Sequence, residues 1–504
     1  MRYVALVLCL ISVSECARIL GIFHLPGKSH YAAGNTMMKI LAERGHDVTL
    51  ISPFKEKNPP KNFRDVVLTP EAPKEKFDFF NFNVHPLLQS YIYSVQTSPI
   101  LNATLSHPEF KRFLESKQKF DLVLMEYFFS DALKYLGVYF NAPVIVYSAL
   151  DANSWINPSV ANPMPVSYVQ DLLASSDVLS FPSRLERTFM YVCNSLIRNF
   201  LYLPIQDKLV KEHFPGAPDI DEYFNNAALM LLNADVSVNA PIPKVPAMVD
   251  IGGFHIKPTK PLPKDLQDVL DKAVNGVVYF SMGSNLQSAQ MPKKTLAALL
   301  AAFSKLKETV LWKWEEDNLP GKPDNVIIRK WLPQNDVFAH KNVKLFITHG
   351  GIFSTMEAVY HGIPCLAFPI FGDQVLNAQR ASETGYARWM KFHEITEEKV
   401  LSEIDEILNN PKYSENVKAR SRIMLDKPIS PADRLVFWVE YVIRHKGADH
   451  LRVAGLELTW YQYLLVDVIF FVAICSVMFV LFVKYVLCYL FSICRKSNSK
   501  LKTQ

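Results

Sequence analysis

The densest polar cluster of the chain lies between Trp331 and Gln374. Phe346-Ile347-Thr348 reads as the end of a strand, His349-Gly350-Gly351 as the turn after it, and Ser354 as the start of a helix that contains Glu357. Glycines let a backbone approach a ligand closely, and a helix N-terminus presents free N–H groups and a positive dipole. A diphosphate is the group expected there, with His349 as a further donor to it. Glu357, one turn into the helix, is placed to accept hydrogen bonds from a ribose diol, as acidic residues do in dinucleotide folds. Two other patterns only imitate chemistry. Gly27-Lys28-Ser29 looks like the end of a phosphate loop, but Gly21 precedes it at the wrong spacing. Asp219-Ile220-Asp221 looks like a metal-binding pair, but it follows Pro215-Gly216-Ala217-Pro218, where a solvated turn is expected.

The elements that must position this cluster alternate. Arg18 to Phe23 is a strand, followed by a Pro/Gly loop and a helix from His30 to Arg44 that Gly45 can cap; Val48 to Ser52 is the next strand. Leu122 to Tyr127 and Pro143 to Ser148 are strands flanking a helical segment at Asp131 to Tyr139. Phe181 to Leu203 is rich in aromatics among arginines, and acceptor-cleft lining, membrane contact and helical core packing all remain open for it. Six prolines between Ala240 and Lys264 read as a linker. Beyond it, Val277 to Ser281, Lys293 to Leu306, Val310 to Trp314, Val326 to Arg329, Lys344 to Thr348, Thr355 to Tyr360, Pro364 to Phe368 and Val375 to Thr384 alternate strand and helix again. Three helices, at about Glu397 to Asn409, Ser414 to Leu425 and Pro431 to His445, then close the second half. The expected fold class is α/β, with two facing, doubly wound, Rossmann-like domains and the site in the cleft between them.

At 504 residues the chain exceeds one ordinary domain, and two or three are expected at about 150 residues each. Its 49% hydrophobic content rules out a disordered chain. Net charge is only +5, and Arg495, Lys496, Lys500 and Lys502 crowd the end, so the electrostatic case for nucleic acid is absent. Residues 1–17 have the layout of a signal peptide, and 461–483 that of a transmembrane helix, followed at 484–504 by a membrane-proximal segment and a basic tail. The Lys/Arg bias places that tail in the cytosol, giving a single-pass type I topology with luminal domains at 18–240 and 265–447 around a linker at 241–264. Lys500 and Lys502 resemble a dilysine signal of the endoplasmic reticulum membrane. Of seven cysteines only Cys193 and Cys365 face the lumen, too few for a disulfide framework, and Asn102-Ala103-Thr104 is a glycosylation sequon.

From Phe346 the sequence runs FITHGGIFSTMEAVYHGIPCLAFPIFGDQ, preceded by Trp331-Leu332-Pro333-Gln334-Asn335-Asp336. This stretch resembles the nucleotide-sugar signature of the UDP-glycosyltransferase family along its whole length. The resemblance covers essentially all of the chain, including the GGFHIKPTKPLP linker and both ends, and looks like an animal membrane-bound UDP-glucuronosyl/glucosyltransferase of the insect branch. It implies the GT-B arrangement. It also implies that Trp331 stacks on uracil, Gln334 bonds the nucleoside, and His349, Gly351 and Ser354 hold the diphosphate. Ser284 then lies near the distal phosphate, Glu357 on the ribose, and Asp373 and Gln374 on the sugar hydroxyls.

The family's base falls at His30, with His24 as a competing histidine outside the family's Ser-His context. The family commonly has Asp where Glu126 stands; Glu126 is the carboxylate expected to partner His30, and Asp131 is the alternative. The implied activity is inverting transfer of a hexose, glucose favoured and glucuronic acid open, from a UDP-sugar to the hydroxyl of a small lipophilic acceptor. The UDP-sugar is a co-substrate; no other cofactor and no metal are expected, because cationic side chains and a helix N-terminus can stabilise the departing diphosphate. Membrane lipid is the remaining expected partner, and the oligomeric state is open. Two rival readings stand beside this one: a non-catalytic UDP-sugar or lipid-binding membrane protein, and a nucleotide-sugar epimerase.

Overall fold

The computed structural model describes residues 16–69, 80, 84–171 and 180–501. The signal-peptide reading therefore lies outside the described residues except at its last two positions, and so do Lys502 to Gln504 of the tail.

The first sheet is built from β1 (Arg18–Ile22), α1 (Lys28–Glu43), β2 (Asp47–Ser52), β3 (Phe63–Val67), α2 (Pro86–Ser106), α3 (Pro108–Glu115), β4 (Leu122–Glu126), β5 (Val144–Ser148), α4 (Phe181–Ile197), α5 (Leu203–His213), β6 (Ala227–Leu232) and β7 (Met248–Asp250). Its seven strands are ordered β3-β2-β1-β4-β5-β6-β7 and every described pairing is parallel. Helices cover both faces, so the central strands β4, β5 and β6 are buried along their whole length and read as continuous apolar runs. Strand order reverses between β1 and β4, and that reversal opens a crevice at their carboxyl ends. His30 follows β1 and Glu126 ends β4, so both are delivered to this crevice.

The second half repeats the plan with α6 (Lys264–Lys272), β8 (Val277–Ser281), α7 (Lys293–Ser304), β9 (Thr309–Lys313), β10 (Val326–Arg329), β11 (Val343–Thr348), α8 (Ile352–His361), β12 (Cys365–Ala367), α9 (Gln374–Glu383), β13 (Ala387–Trp389), α10 (Glu397–Asn409), α11 (Pro411–Leu425) and α12 (Pro431–Arg444). Its strands are ordered β10-β9-β8-β11-β12-β13, again parallel, with the reversal between β8 and β11. The Gly283-Ser284 turn and the His349-Gly350-Gly351 turn leave the sheet at this second reversal.

Three sequence expectations change. β7 lies inside the 241–264 stretch read as linker and pairs with β6, because edge strands tolerate neighbouring prolines. α12 lies inside 265–447 but packs on the first sheet: Leu435, Val436, Val439 and Val442 share a core with Met37, Met38 and Leu41 of α1 and with Leu229 of β6. Along α4, Phe181, Leu185, Phe189, Val192 and Leu196 are exposed while Ser183, Arg187, Met190 and Asn194 are buried, and Tyr202 and Leu203 beyond it join the core, so the 181–203 stretch packs inward only in part. The inward Arg187 donates to the carbonyls of Val166 and Ser167.

Residues from Arg452 onward form a separate unit. Its helix α13 (Val466–Leu501) starts later than the expected 461, after a break at Leu465 with φ of 54°, and runs on through Lys484 without interruption. The most apolar 18-residue window of Val466–Ile493 has a mean hydropathy of 2.8, and none of it is buried. Its 28 residues span roughly 40 Å, more than the ~30 Å of bilayer hydrocarbon.

Candidate active site

His30 sits in the first turn of α1, and its Nδ1 is 2.6 Å from Glu126 Oε1. Glu126 is buried and His30 partly exposed; among the described residues none hydrogen-bonds Nε2, which leaves that nitrogen for a ligand. Burial by itself would lower the His30 pKa, but the field and hydrogen bond of Glu126, with Asp373 beyond, outweigh it and hold the pKa above its ordinary value. The Phe128 ring packs 5.6 Å from the imidazole, between centroids.

The two competitors are placed elsewhere. His24 is buried against α2, with Nδ1 3.1 Å from Thr104 Oγ1, and burial, then the neighbouring His30, push its pKa down to about 4. Asp131 is also buried, and its carboxylate accepts from Lys134 Nζ (2.8 Å) and from the Tyr202 hydroxyl (2.8 Å). Lys134 is fully enclosed, with its ammonium 4.1 Å from the Tyr127 ring centre and 4.4 Å from that of Phe224. Asp131 thus neutralises a buried cation and does not reach His30. Thr104 of the sequon is buried, whereas Asn102 is exposed on α2, 2.7 Å from His213 Nε2.

On the second sheet the His349 ring is held between two glycines. A Cβ on Gly283 would stand 2.5 Å from the ring, and one on Gly351 2.6 Å from it, so neither position accepts a side chain without displacing the imidazole. Burial, then the charge of Lys313, push the His349 pKa down to about 4, and Nδ1 is buried without a hydrogen-bond partner. A neutral imidazole with an unmatched nitrogen is suited to a polar ligand atom. Helix α8 opens at Gly351 with no side-chain cap, leaving its first N–H groups, Ser354 among them, available. One turn on, Glu357 Oε2 accepts from Gln334 Nε2 at 2.5 Å, and burial pushes the Glu357 pKa up to about 7. Trp331, 71% exposed after β10, presents an open ring face.

Asp373 accepts from Asn377 at 2.6 Å, burial raises its pKa, and its field reaches His30, so the loop before α9 and the start of α1 face one space. Gln374 points differently from expectation: its Oε1 accepts from the backbone of Ile370 (2.8 Å) and Phe371 (3.2 Å), shaping that loop and leaving only its amide nitrogen for a sugar. Ser284 is half-buried in the turn after β8. Of the two decoys, Asp219 is exposed beside Lys211 at the start of a short helical turn, and Gly27-Lys28-Ser29 opens α1.

Sequence reasoning missed several groups. Tyr93 on α2 packs against Phe128 and Phe129, with its hydroxyl 3.8 Å from where a Cβ would stand on Gly372 of the opposite half. Lys313 ends β9 near His349, paired with Glu315 at 2.8 Å. An aromatic pocket open to solvent lies beyond Glu126, lined by Phe128, Phe129, Trp155 and Tyr202 among others. The Tyr127-Phe128-Phe129 run directly after Glu126 was the available signal for it.

Comparison with known proteins gives the family. The family described as UDP-glucoronosyl and UDP-glucosyl transferase matches residues 25–501. The chain belongs to the UDP-glycosyltransferase family. The UDP-glycosyltransferase is 36% identical to UDP-glycosyltransferase UGT5 of Dactylopius coccus over 94% of this chain and 92% of that protein. It is 35% identical to UDP-glucosyltransferase 2 of the same insect, over 96% and 95%. Against human UDP-glucuronosyltransferase 2B7 it is 30% identical over 89% and 88%. Among solved structures, a UDP-glucose:anthocyanidin 3-O-glucosyltransferase in complex with UDP superposes with a TM-score of 0.56 at 16% identity, covering 85% of this chain and 99% of that one. A glycotransferase of kitacinnamycin gives 0.57 at 16%, covering 84% and 99%. These likenesses show the GT-B fold. The UDP-glycosyltransferase is thus an enzyme that transfers sugar from a UDP-sugar donor.

Proposed function

We propose that this UDP-glycosyltransferase moves a hexose, with inversion, onto the hydroxyl of a small lipophilic acceptor, with His30 as general base and Glu126 as its partner. The observation that carries the reading is the 2.6 Å contact between His30 Nδ1 and Glu126 Oε1, with Nε2 left open. Nε2 accepts the acceptor's hydroxyl proton as the oxygen attacks the anomeric carbon; the bond from that carbon to the diphosphate oxygen breaks, and its electrons leave with UDP. Glu126 steadies the imidazolium as it forms. A single displacement inverts the anomeric centre.

The donor lies with uracil on Trp331, the nucleoside beside Gln334, its ribose on Glu357 and its diphosphate among Ser284, His349, Gly351 and the start of α8. The sugar meets Asp373 and the amide of Gln374. Departing charge is stabilised by the N-terminal N–H groups of α8. The aromatic pocket beyond Glu126 supports an apolar acceptor. Glucose is favoured, supported by the naming of an insect relative as a glucosyltransferase, while the naming of a human relative as a glucuronosyltransferase keeps glucuronic acid open. The apolar helix α13 supports membrane anchoring, and the basic, dilysine-like tail supports the endoplasmic reticulum with luminal domains and a glycan on Asn102.

The test is glycoside formation by membranes carrying wild type or His30→Ala, given UDP-glucose or UDP-glucuronic acid with phenols and lipophilic alcohols. Product from wild type that falls by about 10²–10⁴-fold in the variant, with UDP binding kept, is the expected result. UDP binding without transfer from either donor in wild type would instead favour a non-catalytic binding protein.

A further inference from the structure

Helix α1 carries His30 in its first turn, yet it opens at Gly27 with no side-chain cap from its own half. The missing partner is supplied from the other sheet. Asn285, in the turn after β8, accepts the Lys28 N–H on Oδ1 at 3.1 Å, and its Nδ2 donates to Ser29 Oγ at 3.0 Å. Gly27 allows the approach: a Cβ there would stand 2.6 Å from His30 Cδ2 and 3.6 Å from Asn285 Nδ2, so the bare backbone fits between the imidazole and the amide.

We infer that Asn285 is a positioning residue for His30, a helix cap provided across the cleft that fixes the first turn of α1. The inference rests on the reading of His30 as base. An N-cap satisfies one of the free N–H groups of a helix start and sets the angle at which its first turn leaves the loop. Here that turn aims the imidazole: Glu126 holds the His30 ring, and the cap holds the two residues before it, Lys28 by its N–H and Ser29 by its hydroxyl. The cap can exist only when the two halves are in register, because its donor and acceptor belong to different sheets. Asn285 also adjoins Ser284, so the turn that meets the donor is the turn that steadies the base. This links an occupied donor site to a correctly aimed imidazole.

Membranes carrying the full chain with Asn285→Ala, Asn285→Asp, Ser29→Ala or the double Asn285→Ala/Ser29→Ala variant test this. Asn285→Ala is expected to lower kcat on the order of tenfold with KM for the UDP-sugar and UDP affinity within twofold of wild type, since misaiming a catalytic group slows turnover without weakening donor contacts. Asn285→Asp keeps the acceptor for Lys28 N–H and can accept from the Ser29 hydroxyl, so it restores most of kcat. Adding Ser29→Ala to Asn285→Ala loses little more, because the two share one interaction. An unchanged kcat in Asn285→Ala overturns the inference. So does a loss that falls on UDP affinity, equal losses in the Asp and Ala variants, or a thermal melt lowered enough to account for lost activity. His30→Ala measured in parallel separates the two readings: if it keeps full activity the base assignment has failed, whatever Asn285 does.

Discussion

Glu126 and Asp131 stand on the same connection between β4 and the helical turn after it, yet their environments give them different work. Glu126 faces the His30 imidazole and holds its pKa above 6.5, so the neutral base forms only as pH rises past that raised value. Activity should therefore climb through an acid limb whose midpoint exceeds 6.5. In Glu126→Gln the carboxylate that opposes burial is gone, so the His30 pKa falls and the limb moves to lower pH, while the plateau rate drops by about 10–100-fold because the imidazolium loses its partner. A pH profile of kcat/KM, which reports the groups of the free enzyme, checks both shifts. Glu357 offers a second test. Burial holds its pKa at about 7, and ribose hydroxyls that donate to the carboxylate would favour the charged form. UDP binding near pH 7 should then release a fraction of a proton, seen as a buffer-dependent binding enthalpy in calorimetry and absent in Glu357→Gln.

At the scale of elements, the segment after β4 is anchored by a charge inside the core. Lys134 and Asp131 are both buried, and Tyr202 and the ring of Phe224 complete the enclosure. Lys134→Ala takes the ion-pair partner from buried Asp131 and should cost about 3–5 kcal/mol in denaturant unfolding, whereas Lys134 and Asp131 replaced together by Met and Leu should cost far less. If the single variant unfolds like wild type, the buried pair is not holding the segment. The same element explains why Asp131 was a fair alternative from sequence: its spacing from β4 is right, and only the direction of the turn sends it to Lys134. Helix α4 shows the opposite limit. Its spacing predicts one apolar face, but not that this face points outward while Arg187 and Asn194 point in.

For the whole molecule, α12 ties the end of the second half to the first. Leu435 is fully buried against the layer that contains α1, and Arg44 and His46 at the end of α1 meet Asp433 and Glu440 on α12. Leu435→Ala should cost about 2–5 kcal/mol and be read as a lower denaturant midpoint, and a chain ending before Pro431 should lose the first-half core rather than only its own last helix. Folding of that shorter chain with wild-type stability would show that α12 does not tie the two halves together. Sequence determined much here by itself. Alternating apolar runs and helices require parallel, doubly wound sheets, and the order strand, His-Gly-Gly, Ser, Glu puts a phosphate-binding helix start at a strand end, because these patterns act over a few residues. Tertiary structure alone decided the rest. Which carboxylate reaches His30, where α12 packs, that β7 continues the first sheet through a proline-rich stretch, and that Asn285 caps the helix of the other half all depend on contacts between segments far apart in the chain, which no local periodicity encodes.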